Sequence, residues 1–120
     1  MNKDPVAKCG WIGVDLDGTL AEYHGWRGVN HIGEPVPLML ERVKQWLADG
    51  KTVKIFTARV SNVDPDRNIA EVIKAIHDWC EKHGLPKLVV TNEKDFGMIE
   101  LWDDRCVQVE MNTGKRVDGK

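Results

Sequence analysis

Apolar and polar positions change rhythm in blocks along the chain. A short apolar run, Trp11 to Leu16, stops at Asp-Gly, which reads as a buried strand closed by a turn. Residues 21–36, "AEYHGWRGVNHIGEPV", lose the pattern and read as a polar, glycine-rich loop carrying aromatics. From Pro37 to Asp49, Leu40, Val43, Trp46 and Leu47 recur at helical spacing; Pro37 suits the first turn and Gly50 can cap the end. "TVKIFT", Thr52 to Thr57, is a second strand, and "ARVSNVDPDR" a turn-rich loop. A second helix is expected from about Asp66 to His83, with Ile69, Val72, Ile73, Ile76, Trp79 and Cys80 on its apolar face and Gly84 and Pro86 beyond its end. "KLVVT", Lys87 to Thr91, is a third strand, "EKDFGM" a loop, and "IELWDD" holds a fourth strand that ends in acid. The tail "CVQVEMNTGKRV" reads as a hairpin turning at Asn112 to Gly114.

Strands alternating with helices predict an α/β fold, a three-layer Rossmann-like parallel sheet with helices on both faces. Such sheets bind ligands beyond the carboxyl ends of their strands. The polar residues expected at that edge are Asp15 and Asp17, Thr57, Asn92 and Lys94, and Asp103 and Asp104. Carboxylates gathered in one place repel one another unless a cation lies between them, and ligands that are all oxygen select a hard cation, with Mg2+ first. An ammonium and a hydroxyl suit phosphate oxygens. The edge therefore has the chemistry of a phosphoryl site.

Composition narrows the class. The 120 residues suit a single domain, 1–120, with 42% hydrophobic and 30% charged residues. A net charge of −2 gives no basic surface in total, which leaves a nucleotide or nucleic-acid substrate dependent on a local patch. Cys9, Cys80 and Cys106 form no C-x-x-C, so three reduced thiols in a cytoplasmic protein are expected rather than disulfides or zinc. The opening "MNKDPVAKCG" has no apolar signal region, and no apolar run is of membrane-spanning length, so no membrane partner is expected.

Four pieces, "DLDGT" (15–19), "FTAR" (56–59), the lysine of "TNEKD" (91–95) and "LWDDR" (101–105), resemble in type and order the motifs of the haloacid dehalogenase superfamily of phosphotransferases. The resemblance runs from Trp11 to Arg105. It implies Asp15 as the nucleophile that forms an aspartyl-phosphate, and Asp17 as general acid and base with its backbone carbonyl on the metal. Thr57 then bonds a phosphoryl oxygen, and Lys94 neutralises charge on the phosphoryl group. Asp15, Asp17, Asp103 and Asp104 form the Mg2+ set, and Gly18 relaxes the turn so that backbone N–H groups face phosphate. An acid two residues after the nucleophile implies a phosphomonoester phosphatase. The intervals after Thr19 and after Arg59 are filled by core helix and strand, so no cap domain fits. Capless relatives act on large substrates or take a lid from another subunit, which leaves oligomerisation open.

Other readings compete for several of these residues. "DLDGT" is not an EF-hand loop: glycine is fourth rather than sixth, and Trp26 stands where the bidentate glutamate belongs. Arg59 and Arg105 divide evenly between phosphate contact and pairing with a neighbouring acid. Ala58 next to Arg59, and Trp26 and Arg27 together with Tyr23 and His24 in the loop after the nucleophile strand, are candidates for substrate contact against packing on the sheet edge. The rival functions are a receiver-like phospho-acceptor and a non-catalytic phosphate-binding domain. A receiver places its acceptor aspartate mid-chain, where this sequence has Thr57.

Overall fold

In the computed structural model, which describes residues 10–119, the first apolar run forms β1, Trp11–Asp15. β2 (Thr52–Phe56) and β4 (Met98–Trp102) flank it, and β3 (Val89–Thr91) lies outside β2. The sheet order is β3-β2-β1-β4 and every pairing is parallel. Helix α1 (Pro37–Ala48) connects β1 to β2, and α2 (Ile69–Lys82) connects β2 to β3. The expected α/β class with a parallel sheet is present.

The register explains where the core lies. Ile12 is opposite Val53 and Val14 is opposite Ile55, so these four share one face of the pleat. Met39 and Val43 of α1 and Val72 and Ile76 of α2 join them in one buried cluster. Strands added in one direction through right-handed crossovers carry both helices to the same side. The second helical layer expected on the other face is not found among the described residues. Only residues 92–97 connect β3 to β4. Six residues reach roughly 20 Å when extended, enough to return to the amino edge but not to build a helix on the way. The opposite face carries Trp11 and Lys54, whose Nζ lies 4.6 Å from the indole centroid, and Val89, which is exposed.

Element ends moved for local reasons. Leu16 leaves β1 and is fully buried, its carbonyl accepting from Leu20 N (3.1 Å) and Ala21 N (2.8 Å). α2 starts at Ile69, three residues later than expected, because Asn68 caps it by accepting from Glu71 N at 3.2 Å. The residues before it form a turn in which Arg67 N donates to the Asp64 carbonyl at 3.1 Å. β3 loses Lys87 and Leu88, since the Leu88 carbonyl is hydrogen-bonded to His77 Nε2 at 2.7 Å instead of a strand. The hairpin is present as a bridge between Val109 and Arg116, with Asn112 (φ 69°) and Gly114 (φ 76°) left-handed at its turn. Cys80 is buried and Cys106 exposed, while Cys9 lies outside the described residues. Among the described residues no helix is long and apolar enough to cross a membrane.

Candidate active site

β1 and β4 are neighbours, and Val14 is opposite Trp102, so Asp15 and the Asp103–Asp104 pair emerge side by side at the carboxyl edge. Asp15, Asp103 and Asp104 each present a carboxylate oxygen within 4.8 Å of the others. Trp102 fixes the end of β4: its ring lies 5.1 Å from that of Trp46 on α1, and the Arg42 guanidinium stands 5.2 Å from its centroid. Thr19 fastens the two acidic segments together. Its Oγ1 lies 3.2 Å from Asp15 Oδ2 and 3.4 Å from Asp104 Oδ1, and it accepts from Asp104 N at 3.0 Å. One hydroxyl proton serves one acceptor at a time, and the shorter of the two contacts is the one to Asp15.

Gly18 lies at φ 92°, and a Cβ there would come 2.7 Å from Asp104 Oδ2, so this position needs glycine for both its conformation and its closeness to the acid. The Gly18 N–H donates to the Ala21 carbonyl at 2.8 Å and is not turned toward a ligand.

Asp17 does not join the acidic group through its side chain. Arg59 holds it in a bidentate grip, Nε to Oδ2 at 2.7 Å and Nη2 to Oδ1 at 2.8 Å. The guanidinium also donates to the carbonyls of His31 (3.0 Å) and Val29 (3.3 Å). It lies 4.9 Å from the Trp26 ring centroid and is only 5% exposed. Four of its five N–H groups are thus engaged. Between phosphate contact and pairing, Arg59 takes the pairing, and it binds the 21–36 loop to the sheet edge. The Asp17 carbonyl accepts no hydrogen bond among the described residues.

Thr57, 2% exposed, closes β2. Its N donates to the Thr91 carbonyl at 2.9 Å and its Oγ1 accepts from Arg59 N at 3.1 Å. Among the described residues nothing accepts the hydroxyl proton of Thr57, which leaves it for a ligand oxygen. These groups surround a cavity of about 350 Å³. Asp15, Asp17, Thr57, Asp103 and Asp104 line it together with Ala58 and Arg59. Tyr23, Trp26, Phe56, Arg67 and Arg105 complete it. Arg105 turns toward the cavity with its backbone N bonded to Asp103 Oδ1 at 2.7 Å.

Two expected contacts are not brought in. Arg27 faces a smaller recess on the other side of the Asp17–Arg59 pair. Lys94 is exposed and does not line the cavity. Its neighbour Asp95 accepts from Trp11 Nε1 at 2.8 Å, and Gly97 O accepts from Trp11 N, so the loop after β3 heads for the amino end of β1. Thr19, which joins the two acidic segments, and Arg67, which lines the cavity, carried no role in the sequence reading. Thr19 stands within "DLDGT", but its closeness to Asp104 depends on β1 and β4 being neighbours. Arg67 ends a loop, and only the fold brings it 5.4 Å from the Trp26 ring.

Burial, the Asp103 charge and the hydrogen bond and charge of Asp104 push the Asp15 carboxyl up from 3.8 to about 7, against a smaller opposite effect of the Thr19 hydroxyl. In the cation-free protein, the folded state between those values holds a proton that the unfolded chain has released. The contribution of Asp15 to stability is therefore most favourable below pH 3.8 and declines as pH rises to about 7. Urea midpoints in chelator should show Asp15→Asn gaining on the parent between pH 5 and pH 8. A difference that does not change with pH would remove this account of Asp15.

No protein-family model matches the chain, and no curated protein matches it. A solved structure of a conserved protein coded by a locus from Bacteroides thetaiotaomicron is similar in fold, with a TM-score of 0.57 at 22% identity, over 81% of this chain and 77% of that one.

Proposed function

We propose that the protein is a magnesium-dependent phosphomonoester phosphatase acting through an aspartyl-phosphate, as the resemblance to the haloacid dehalogenase superfamily implies. The observation that carries the reading is the convergence of Asp15, Asp103 and Asp104 within 4.8 Å beside a cavity that also holds the free hydroxyl proton of Thr57. The donor set fits Mg2+: it is all oxygen, and both the burial that chiefly raises Asp15 and the neighbouring Asp103 and Asp104 charges that add to it disfavour a bare carboxylate that a divalent cation would stabilise. Asp15, Asp103, Asp104 and the Asp17 carbonyl would hold it. When bound, the ion neutralises the carboxylates and the phosphoryl oxygens, so that an anionic nucleophile can approach an anionic substrate.

The chain's own groups account for the remaining chemistry. An Asp15 carboxylate oxygen forms a bond to phosphorus as the bond from phosphorus to the substrate alcohol breaks, and Asp17, one of whose oxygens must leave the Arg59 grip to carry a proton, gives that proton to the alcohol. Asp17 then takes a proton from water, whose oxygen attacks the same phosphorus and releases inorganic phosphate and the Asp15 carboxylate. Thr57 donates to a phosphoryl oxygen throughout. The cavity cations are Arg59, Arg67 and Arg105, of which Arg59 is committed to Asp17. Lys94 enters only through the resemblance.

Release of inorganic phosphate from a panel of phosphomonoesters tests the proposal. Turnover should be lost in chelator and restored by Mg2+, with Ca2+ ineffective because its looser, larger coordination shell spoils in-line geometry. A receiver-like domain would instead take one phosphate per chain from an acyl-phosphate donor without catalytic turnover. Full activity in excess chelator would overturn the metal assignment.

A further inference from the structure

The cavity is lined by more than the acids. Tyr23 and Trp26 come from the loop after β1, Phe56 and Ala58 from the end of β2, and Arg67 from the turn before α2. Tyr23 is 43% exposed and Trp26 49%, so both rings are accessible. Trp26 is nevertheless held in place: Arg59 and Arg67 lie 4.9 and 5.4 Å from its centroid, and Arg59 is itself bonded to Asp17 and to two carbonyls of the same loop. Both guanidiniums lie over the Trp26 ring, so a planar partner would meet this preorganised cation–ring stack and the accessible Tyr23 ring.

The remaining lining excludes alternatives. A sugar hydroxyl cluster calls for carboxamide or carboxylate acceptors around the ring. Outside the metal-type acids and the Arg59-bound Asp17, no Asn, Gln, Asp or Glu lines this cavity. Arg67 gives one N–H to the Arg59 carbonyl at 3.2 Å, and among the described residues no acid pairs with it. Its other donors suit the carbonyl and ring-nitrogen acceptors on a base edge, or its plane suits a base face. A volume of about 350 Å³ lies at the lower end of the range for small-ligand sites, which begins near ~300 Å³.

We propose that Tyr23, Trp26 and Arg67 bind the base of a nucleotide whose terminal phosphomonoester is delivered to Asp15. The proposal names the substrate class of the phosphatase and rests on that reading. A free mononucleotide and a phosphorylated oligonucleotide end share this chemistry.

The test compares AMP, ribose 5-phosphate and a phosphorylated oligonucleotide in Mg2+, for the parent chain, Tyr23→Ala and Trp26→Phe. AMP should exceed ribose 5-phosphate in kcat/KM by about tenfold or more, the factor expected of a single stacked base. Tyr23→Ala should bring that ratio close to one, mainly through KM. The oligonucleotide arm shows which source of nucleotide is preferred. Independently of turnover, AMP in chelator should quench tryptophan fluorescence where ribose 5-phosphate does not, and Trp26→Phe should abolish the quench. Equal or better turnover of ribose 5-phosphate would overturn the nucleotide assignment while leaving the phosphatase intact. Absence of turnover on every phosphomonoester would overturn the phosphatase and the nucleotide as its substrate, and the quench would then report on a base-binding cavity alone.

Discussion

Asp15→Asn should reduce turnover of any phosphomonoester by on the order of 10⁴-fold or more and abolish covalent phosphorylation of the chain. The amide has nearly the shape of the carboxylate, and Thr19 can still bond to it, so the loop after β1 should survive the change. It cannot serve as the nucleophile, and it removes a charge from the cation site. Asp17→Asn should behave differently. Loss of proton transfer typically lowers rate by ~10²–10⁴-fold, and the Asp15 carboxylate remains in place to accept phosphate. With an activated aryl-phosphate, whose leaving group needs no proton, the Asp17 variant should accumulate a phosphorylated chain. Mass spectrometry after rapid acid quench separates the two. Phosphate found on the Asp15→Asn protein at another aspartate would reassign the nucleophile.

The acidic edge was legible because two independent rules point to it. "GVDLDGT" and "ELWDD" each run from an apolar strand directly into acid, and a parallel sheet collects strand ends of one sense at one edge. No side-chain geometry is needed to bring Asp15 to Asp103 and Asp104 once β1 and β4 are neighbours. Arg59 was not legible in that way. Its partner Asp17 is distant in sequence, and its carbonyl partners, Val29 and His31, belong to a loop without a repeating pattern. Sequence proximity placed Lys94 at the same edge, because it follows β3. The loop from β3 must return to the amino end of the sheet to begin β4, and it starts doing so at once, as Asp95 at Trp11 shows. The same short return removes the second helical layer: a helix could be counted in the sequence between β1 and β2 and between β2 and β3, but none between β3 and β4.

Arg59 carries the largest expected effect on stability. Arg59→Met keeps much of the stem that packs near Trp26 but removes every donor that holds Asp17, Val29 O and His31 O. Breaking one side of a buried ion pair costs ~3–5 kcal/mol, chiefly because the remaining charge loses its partner. Here Asp17 keeps a side-chain exposure of 20%, so water relieves part of that cost and the lower end, about 3 kcal/mol, is expected. The 21–36 loop should loosen as well, since its two carbonyls and Trp26 are fastened through the same guanidinium. Arg59→Lys should recover little, because an ammonium cannot reproduce the two parallel bonds to Asp17 while reaching both carbonyls. A double-mutant cycle with Asp17→Asn isolates the pair. With the charge of Asp17 already removed, Arg59→Met should cost clearly less than in the parent, with a coupling of about 1–3 kcal/mol in urea unfolding. Hydrogen exchange adds a spatial readout: protection should fall at His31, whose amide bonds to Gly28, while the β1–β2 ladder keeps its own. Additive losses in the cycle, with loop protection unchanged, would show that Arg59 acts as packing alone and that the grip on Asp17 contributes nothing to the fold.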